Sequence, residues 1–351
     1  MRFSLLFAAL LVVGCNRSDK DKPIEVGHIH PPGGDMGDEQ RALRLAIDEW
    51  NKDTSKLPQG RRLVIRHAPG GAKPEEWGAQ ATRLLALNKS AALVGGDRGA
   101  FAERIGMAVQ GENVVAISPA GWPGPTAGQN LVTVGLSPAE RGRLLAKRAK
   151  EAKPKTVLVL RDPSARAANA AAERFMAECR AFTPPVAIRV AEVTDEQTPN
   201  GDVVFLACSA RLAVRQRDFY KGSTFLFGDE DAELPALLAE GPAAEGFIVA
   251  TAFNPDDKSD RFTAFAQRYQ EAYQQPPSVS AVLAHDALSV WVEAARRADS
   301  LDAGPIREQL LKREQPYEIL TGTLTFADDH TAQRPGFVGR IAGGRLADIK
   351  P

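Results

Sequence analysis

From residue 24 onward, short runs rich in β-branched and aromatic residues alternate with stretches whose apolar residues recur every three or four positions. No other feature restricts the fold as strongly. A strand, a crossover helix and a second strand leave the two strands parallel and adjacent, with helices over both faces of the sheet. The spacing predicts strands at 24–30, 63–67, 91–94, 114–117 and 131–134, with helices at 38–51, 74–87 and 100–109 between the first four. In the first helix Leu43, Ala46, Ile47 and Trp50 share one face, and Pro74 opens the second where no N–H donor is needed. After the Pro- and Gly-rich loop 119–128, a second series begins. It has helices at 138–152 and 166–181, and strands at 156–160, 186–191, 203–206, 224–227 and 244–250. Helices at 259–274, 278–298 and 303–312 follow. The tail, 322–349, with turns at Asp328-Asp329 and Gly343-Gly344, reads as a small antiparallel element. A chain of 351 residues with two such series is expected to form two lobes.

Lys plus Arg and Asp plus Glu number 44 each. No one-signed field exists to hold a phosphate backbone, so nucleic acid is not an expected partner. The chain opens with Arg2, an apolar run over 3–13 and the sequence Val12-Val13-Gly14-Cys15, followed by polar residues. Such a run is about half the roughly 20 residues that span a bilayer, and it marks an export signal. Val12 to Cys15 resemble a lipobox, where cleavage precedes a lipidated Cys; the other reading is a soluble secreted protein. The expectation is a signal peptide at 1–14, lipidation of Cys15 and a tether at 15–23. The mature protein would then lie in the periplasm or at the cell surface, anchored to a membrane by acyl chains worth about 0.8 kcal/mol per buried methylene. Cys179 and Cys208 fall at opposite edges of the second expected sheet. A disulfide needs Cα atoms roughly 4.4 to 6.8 Å apart, so two buried free thiols are expected.

The residues also resemble the leucine/isoleucine/valine-binding family of periplasmic solute receptors of ABC transporters. Ile24-Glu25-Val26-Gly27 and the helix ending Ala46-Ile47-Asp48-Glu49-Trp50-Asn51 look like the family's opening. Leu93-Val94-Gly95-Gly96 and Ile117-Ser118-Pro119-Ala120 look like its strand ends. Phe225-Leu226-Phe227-Gly228-Asp229, Glu245-Gly246-Phe247, Tyr269 and Tyr273, Ala284-His285-Asp286-Ala287 and Leu320-Thr321-Gly322-Thr323-Leu324-Thr325-Phe326 follow in the family's order. The resemblance implies an α/β fold of two Rossmann-like lobes with mostly parallel sheets, joined by three hinge crossings near Gly135, Thr251 and Thr323. Lobe one would hold 24–135 and 252–322, and lobe two 136–251 and 323–351.

In open α/β sheets ligands bind beyond the carboxyl ends of strands. Gly95-Gly96-Asp97-Arg98-Gly99 leads into a helix, so N–H groups such as that of Gly99 form an anion site to which Arg98 can add a forked grip. Alternatively Asp97 caps the helix and Arg98 is solvated. After the next strand come Ala120, Gly121 and Trp122, whose indole either stacks on a ligand or fills space. Lobe two offers Asp162, Ser209 and Glu230. By resemblance Glu230 stands where the family neutralises a ligand ammonium. The family's carboxylate-binding Ser is missing from the 95–99 loop, Trp122 replaces a hydroxyl, and tyrosines expected near Ala165 and Ser209 are absent. The acidic run 229–231 reads as a solvated turn holding one ligand residue.

His28, His30 and His67 raise a metal site with Asp35. Hydrogen-bonded strand-end histidines are the preferred reading, with His30 lining the cleft and no metal or cofactor. Motifs of hydrolases, zinc proteases, nucleotide-binding loops and dinucleotide folds are missing, so no enzyme is expected. The functional expectation is a monomeric receptor that closes on a small polar ligand, an amino acid or amide, and delivers it to ABC permease subunits. The alternative is a regulatory lipoprotein of the same fold that binds a protein such as a cell-wall synthase.

Overall fold

The computed structural model describes residues 22–32, 37–122, 124, 126–194 and 200–349. The signal segment, Cys15, nearly all of the tether and Asp35 lie outside them. In chain order the elements are β1 (Ile24–His30), α1 (Asp38–Trp50), β2 (Leu63–Pro69), α2 (Pro74–Asn88), β3 (Ala92–Gly95), α3 (Gly99–Val109), β4 (Val115–Ser118) and β5 (Leu131–Thr133). Then come α4 (Pro138–Glu151), β6 (Thr156–Arg161), α5 (Arg166–Arg180), β7 (Ala187–Glu192), β8 (Val203–Ala207), α6 (Ala210–Arg217), β9 (Thr224–Phe227), α7 (Leu234–Ala239) and β10 (Ile248–Thr251). The helices α8 (Asp260–Tyr273), α9 (Val279–Ala298) and α10 (Ala303–Leu310) follow. Five short strands come last: β11 (Tyr317–Ile319), β12 (Gly322–Phe326), β13 (Ala332–Gln333), β14 (Phe337–Ala342) and β15 (Arg345–Asp348).

Two α/β lobes result. The first sheet runs β2-β1-β3-β4-β5 and is parallel throughout. The second runs β15-β14-β10-β9-β8-β6-β7, parallel from β10 to β7 and antiparallel at the β14–β15 edge. Each residue of β3, β4 and β8 is buried, as strands covered on both faces require. Alternation sorts their side chains. Val94 and Ile117 face the core shared with α1 and α9, while Leu93 and Ala116 face Trp77 and Ile105 of α2 and α3.

Helices start where the sequence supplies caps. Ser137 Oγ accepts from the Glu140 N–H at 3.2 Å ahead of Pro138, and Ser278 Oγ does the same for Ala281 at 3.3 Å. The sequence spacing shows no helix between β8 and β9 or between β9 and β10, where α6 and α7 lie. With eight residues, three of them Arg, and only Ala210, Ala213 and Gln216 buried, α6 leaves no apolar stripe to detect. Cys179 and Cys208 are free and buried, and burial pushes the Cys179 thiol up to about 12.

The chain passes between the two parallel sheets after β5, after β10 and before β14. The last passage was expected near Thr323; that residue lies inside β12, which pairs with β11 and β13, and the larger sheet is rejoined at Phe337. A bridge from Thr331 to Thr133 ties this small three-stranded sheet to β5. The wholly buried Arg334 gathers all three passages. Its guanidinium donates to Val134 O at 2.8 Å, and to Ala252 O and Thr321 Oγ1 at 3.1 Å each. Asp286 of α9, 3.2 Å away and equally buried, balances its charge and accepts from the Leu320 N–H at 3.0 Å. On the lobe-two side, buried Asp231 accepts from the Leu136 and Ala252 N–H groups at 3.4 Å each. Arg141 pairs with it at 3.3 Å and donates to Ala250 O.

Removing one partner of a buried ion pair leaves the other charge unpaired, which costs about 3 to 5 kcal/mol. Arg334→Ala is therefore expected to lower the urea midpoint by that equivalent, and Asp286→Ala by a similar amount. An exposed control such as Arg313→Ala should change stability by less than about 1 kcal/mol.

Candidate binding cleft between the lobes

The cleft is lined by loops that leave the carboxyl ends of parallel strands, and glycines shape the first of them. Gly95 and Gly96 have φ of 149° and 78°; a Cβ on Gly95 would lie 2.3 Å from Ile29 O, and one on Gly96 2.8 Å from the Ala102 nitrogen. Buried Ser118 locks this loop to the next by donating to Gly96 O and accepting from the Ala120 N–H at 3.0 Å. A hydroxyl at the buried end of a strand needs partners in the adjoining loops, and Ser118 finds both there.

Across the cleft the lobes meet through their own charged groups. The Gly99 N–H, first in α3, donates to both carboxylate oxygens of Glu230, at 2.9 and 3.1 Å. Arg98 reaches Glu233 at 2.6 Å, and Glu233 also accepts from the Ala210 N–H at 3.1 Å. Arg166, which opens α5, pairs with Glu103 of α3 at 2.5 Å and lies over the Trp122 ring, 5.5 Å from its centroid. Glu103 in turn accepts from the Thr126 hydroxyl at 2.6 Å.

Of the expected residues, Arg98, Gly99, Trp122 and Glu230 thus come together at one inter-lobe contact. Ala120 and Gly121 are buried behind it; a Cβ on Gly121 would fall 2.0 Å from Leu136 O. Arg98 is itself the backbone cap of α3, and Asp97 makes no cap bond; its buried Oδ1 has no partner. Asp162 accepts from the Ser164 N–H and hydroxyl, and Ser209 caps α6 through its backbone, each inside lobe two. His30 bonds at Nδ1 to Pro31 O and stands beside His28 and His67, not at the inter-lobe contact.

The acidic run 229–231 corrects an expectation. Asp229 is 9% exposed, Asp231 6% and nearby Glu233 8%, so this is a buried knot of carboxylates and not a solvated turn. The hinge and lobe-two N–H groups demand acceptors there. Glu103, Arg166 and Glu233 were not singled out from sequence. Their one local signal is position, at or near the starts of helices that follow the carboxyl ends of strands.

Under lobe one's part of the cleft, His28 Nδ1 lies 2.8 Å from His67 Nδ1, and His28 Nε2 lies 3.2 Å from Glu39 Oε2. Burial, aided by His30, holds His28 down to about 3. Burial, aided by His28 and His30, holds His67 down to about 4. Burial, with Asp38 adding repulsion, pushes Glu39 up to about 8, and burial with Glu39 pushes Asp97 to about 7. Burial with Asp229 pushes Glu230 to about 8. Among the described residues no group of three or more His, Cys, Asp or Glu is arranged to hold a metal ion, and no helix is long and apolar enough to cross a membrane.

The profile of a family described as periplasmic binding protein matches residues 23–194 and 212–345. Among curated proteins none matches the chain. Solved structures give its fold. The branched-chain amino acid transporter substrate-binding protein LivJ of Streptococcus pneumoniae, in complex with isoleucine, superimposes with a TM-score of 0.75 at 19% identity, covering 94% of this chain and 100% of its own. An ABC transporter substrate-binding protein of Desulfitobacterium hafniense, in complex with Leu, gives 0.78 at 20% identity, covering 93% and 100%. A solute-binding protein of an ABC transporter from Rhodopseudomonas palustris, in complex with 3,4-dihydroxy benzoic acid, gives 0.73 at 17% identity, covering 93% and 96%.

The pKa shifts fix the sign of a pH effect. Glu39, Asp97 and Glu230 bind protons more tightly folded than unfolded, so their stabilisation is whole below the ordinary carboxylate range and is lost as pH rises through about 7 to 8. Buried His28 and His67 act oppositely: their burial costs stability only as pH falls below the ordinary imidazole value. From pH 6.5 to 8 the buried carboxylates outweigh the histidines, whose opposing effect fades above the ordinary imidazole value, and the melting temperature is expected to fall. Glu39→Gln should flatten that fall; an unchanged slope would show that Glu39 is ionised throughout.

Proposed function

The chain belongs to the periplasmic binding protein family, and from that premise we propose that it captures a small polar solute, amino-acid-like or amide-like, by closing two lobes about a hinge. It is an extracytoplasmic ligand-binding protein and not an enzyme. The observation that carries this reading is the position of the charged groups. Arg98, Gly99 and Trp122 stand at strand ends of one lobe, Arg166, Glu230 and Glu233 at strand ends of the other, and they meet across the cleft between them. A solute that touches both sides favours the shut form by its differential affinity for it. The similar structures of Streptococcus, Desulfitobacterium and Rhodopseudomonas hold isoleucine, leucine and a dihydroxybenzoic acid, all small polar molecules. The receptor acts as a monomer and delivers its solute to an ABC permease from a membrane anchor at Cys15, in the periplasm or at the cell surface.

One observation favours a second reading, a regulatory lipoprotein that binds a protein such as a cell-wall synthase. The inter-lobe contact is completed by the chain's own ion pairs, Arg98 with Glu233 and Arg166 with Glu103.

Solute capture predicts a saturable rise in melting temperature, equivalent to about 2.7 kcal/mol at a ligand concentration of 100 Kd, for at least one compound in a panel of amino acids, amides, aromatic acids and amines. Solution scattering should show the radius of gyration shrinking with the same ligand. A protein whose melting point and radius ignore the whole panel overturns the receptor reading. For the anchor, intact mass spectrometry of the membrane-extracted protein is expected to show a chain beginning at Cys15 with added acyl mass, and Cys15→Ala to lack that mass; an unmodified Cys15 in the wild type would refute lipidation at this residue.

A further inference from the structure

Most residues of α9 are buried, yet every fourth residue along one of its faces is polar: His285, Ser289, Glu293 and Arg297. A buried helix carries such a stripe where something takes up its hydrogen bonds. Here the stripe lines a cavity of about 720 Å³, walled also by the end of α1, one side of α8 and β11. Arg98, Trp122 and Glu230 are not among its walls, so it is separate from the inter-lobe cleft.

The charges around this cavity are matched within the chain. Arg268 reaches Glu49 at 2.8 Å, Arg297 reaches Glu293 at 2.7 Å, and Arg261 pairs with Glu318. Its other charged side chains are exposed and balanced in sign. An ion entering would find nothing to offset its lost hydration. The buried polar groups are less well served. His285 and Ser289 are 8% and 9% exposed. Ser289 Oγ lies 3.5 Å from His285 Nδ1, while the second ring nitrogen, Nε2, has no hydrogen-bond partner among the described residues. Arg268 Nε is buried and also without one. Burial holds His285 down to about 4, so its imidazole is neutral. Half-buried Trp50 and buried Ile319 and Leu320 add apolar wall. Trp50 and His285 are rings, and rings pack most favourably with an aromatic guest.

We infer that this cavity in lobe one is a second binding site, for a small uncharged aromatic molecule with a hydroxyl or N–H, a phenol or an indole, its ring against Trp50 and its polar group on His285 Nε2. The inference goes beyond solute capture in the cleft and does not depend on it. A hydroxyl both donates and accepts, so one such group meets the neutral imidazole whichever nitrogen carries the proton.

NMR titration of the full chain in detergent, with histidine isotope-labelled at Cε1, reads the site directly. The chain has 5 histidines, and His285→Gln identifies the His285 signal by removing it. Phenol and benzoate are the probes. Phenol is expected to move the His285 signal saturably at millimolar concentration and to leave those of His28 and His330 in place. Benzoate, of similar size but charged, should leave His285 unmoved. Ala264 is exposed on α8 at the mouth of the cavity, so Ala264→Trp should cover it and weaken phenol at least tenfold. Circular dichroism and an unshifted His28 signal check that the variant is folded; the wild-type titrations decide without it if it is not. A His285 signal indifferent to phenol overturns the site, and one moved as far by benzoate overturns the uncharged class. Phenol binding unaltered in folded Ala264→Trp lies elsewhere and overturns the assignment. None of these outcomes bears on solute capture, which the melting-temperature panel decides.

Discussion

Two buried guanidiniums hold the architecture together. Arg334, itself in the third passage between the sheets, binds backbone oxygens from the other two and the Thr321 hydroxyl, and Asp286 of α9 supplies its counter-charge. Arg141 and Asp231 repeat the arrangement on the lobe-two side. A forked, permanently charged donor suits this task because carbonyls at a crossing have left their sheets and lack ladder partners. Such a bolt fixes the crossing strands to one another at the place where the two sheets meet.

Above that axis the cleft is an acidic pocket closed by acid–base contacts of its own. Burial raises Asp97, Asp229 and Glu230, and Arg98 and Arg166 bridge to the opposite lobe. The helix N-terminus that receives an anion in such a fold receives Glu230 here. This single contact explains why a family-like scaffold can carry loops that depart from the family pattern.

The histidine and carboxylate group beneath the cleft illustrates how burial decides chemistry. His28, His67 and Glu39 lie in one connected group, but the imidazoles are held neutral and Glu39 is biased toward its protonated form. Spacing along β1 placed His28 and His30 on one face, which was readable. That His28 would turn to His67 and Glu39 was not, because its partners lie 39 and 11 residues away and meet it only through the β1–β2 register and the approach of α1.

By itself the sequence determined the alternation of strands and helices, the parallel sheets and the loops that could face a ligand. Those depend on local periodicity and on glycines such as Gly95 and Gly96, whose backbone demands are local as well. It also marked Glu230, Arg98 and Trp122 as cleft residues. Tertiary structure alone decided what they do. Arg98 finds Glu233, Gly99 finds Glu230 and Arg166 finds Glu103 across 135, 131 and 63 residues of chain. The same holds for the buried acidic run 229–231 and for Arg334, whose side chains look solvated in any local window. Ion pairs and desolvation act through space, so a charge reveals its role only after folding has chosen its neighbours.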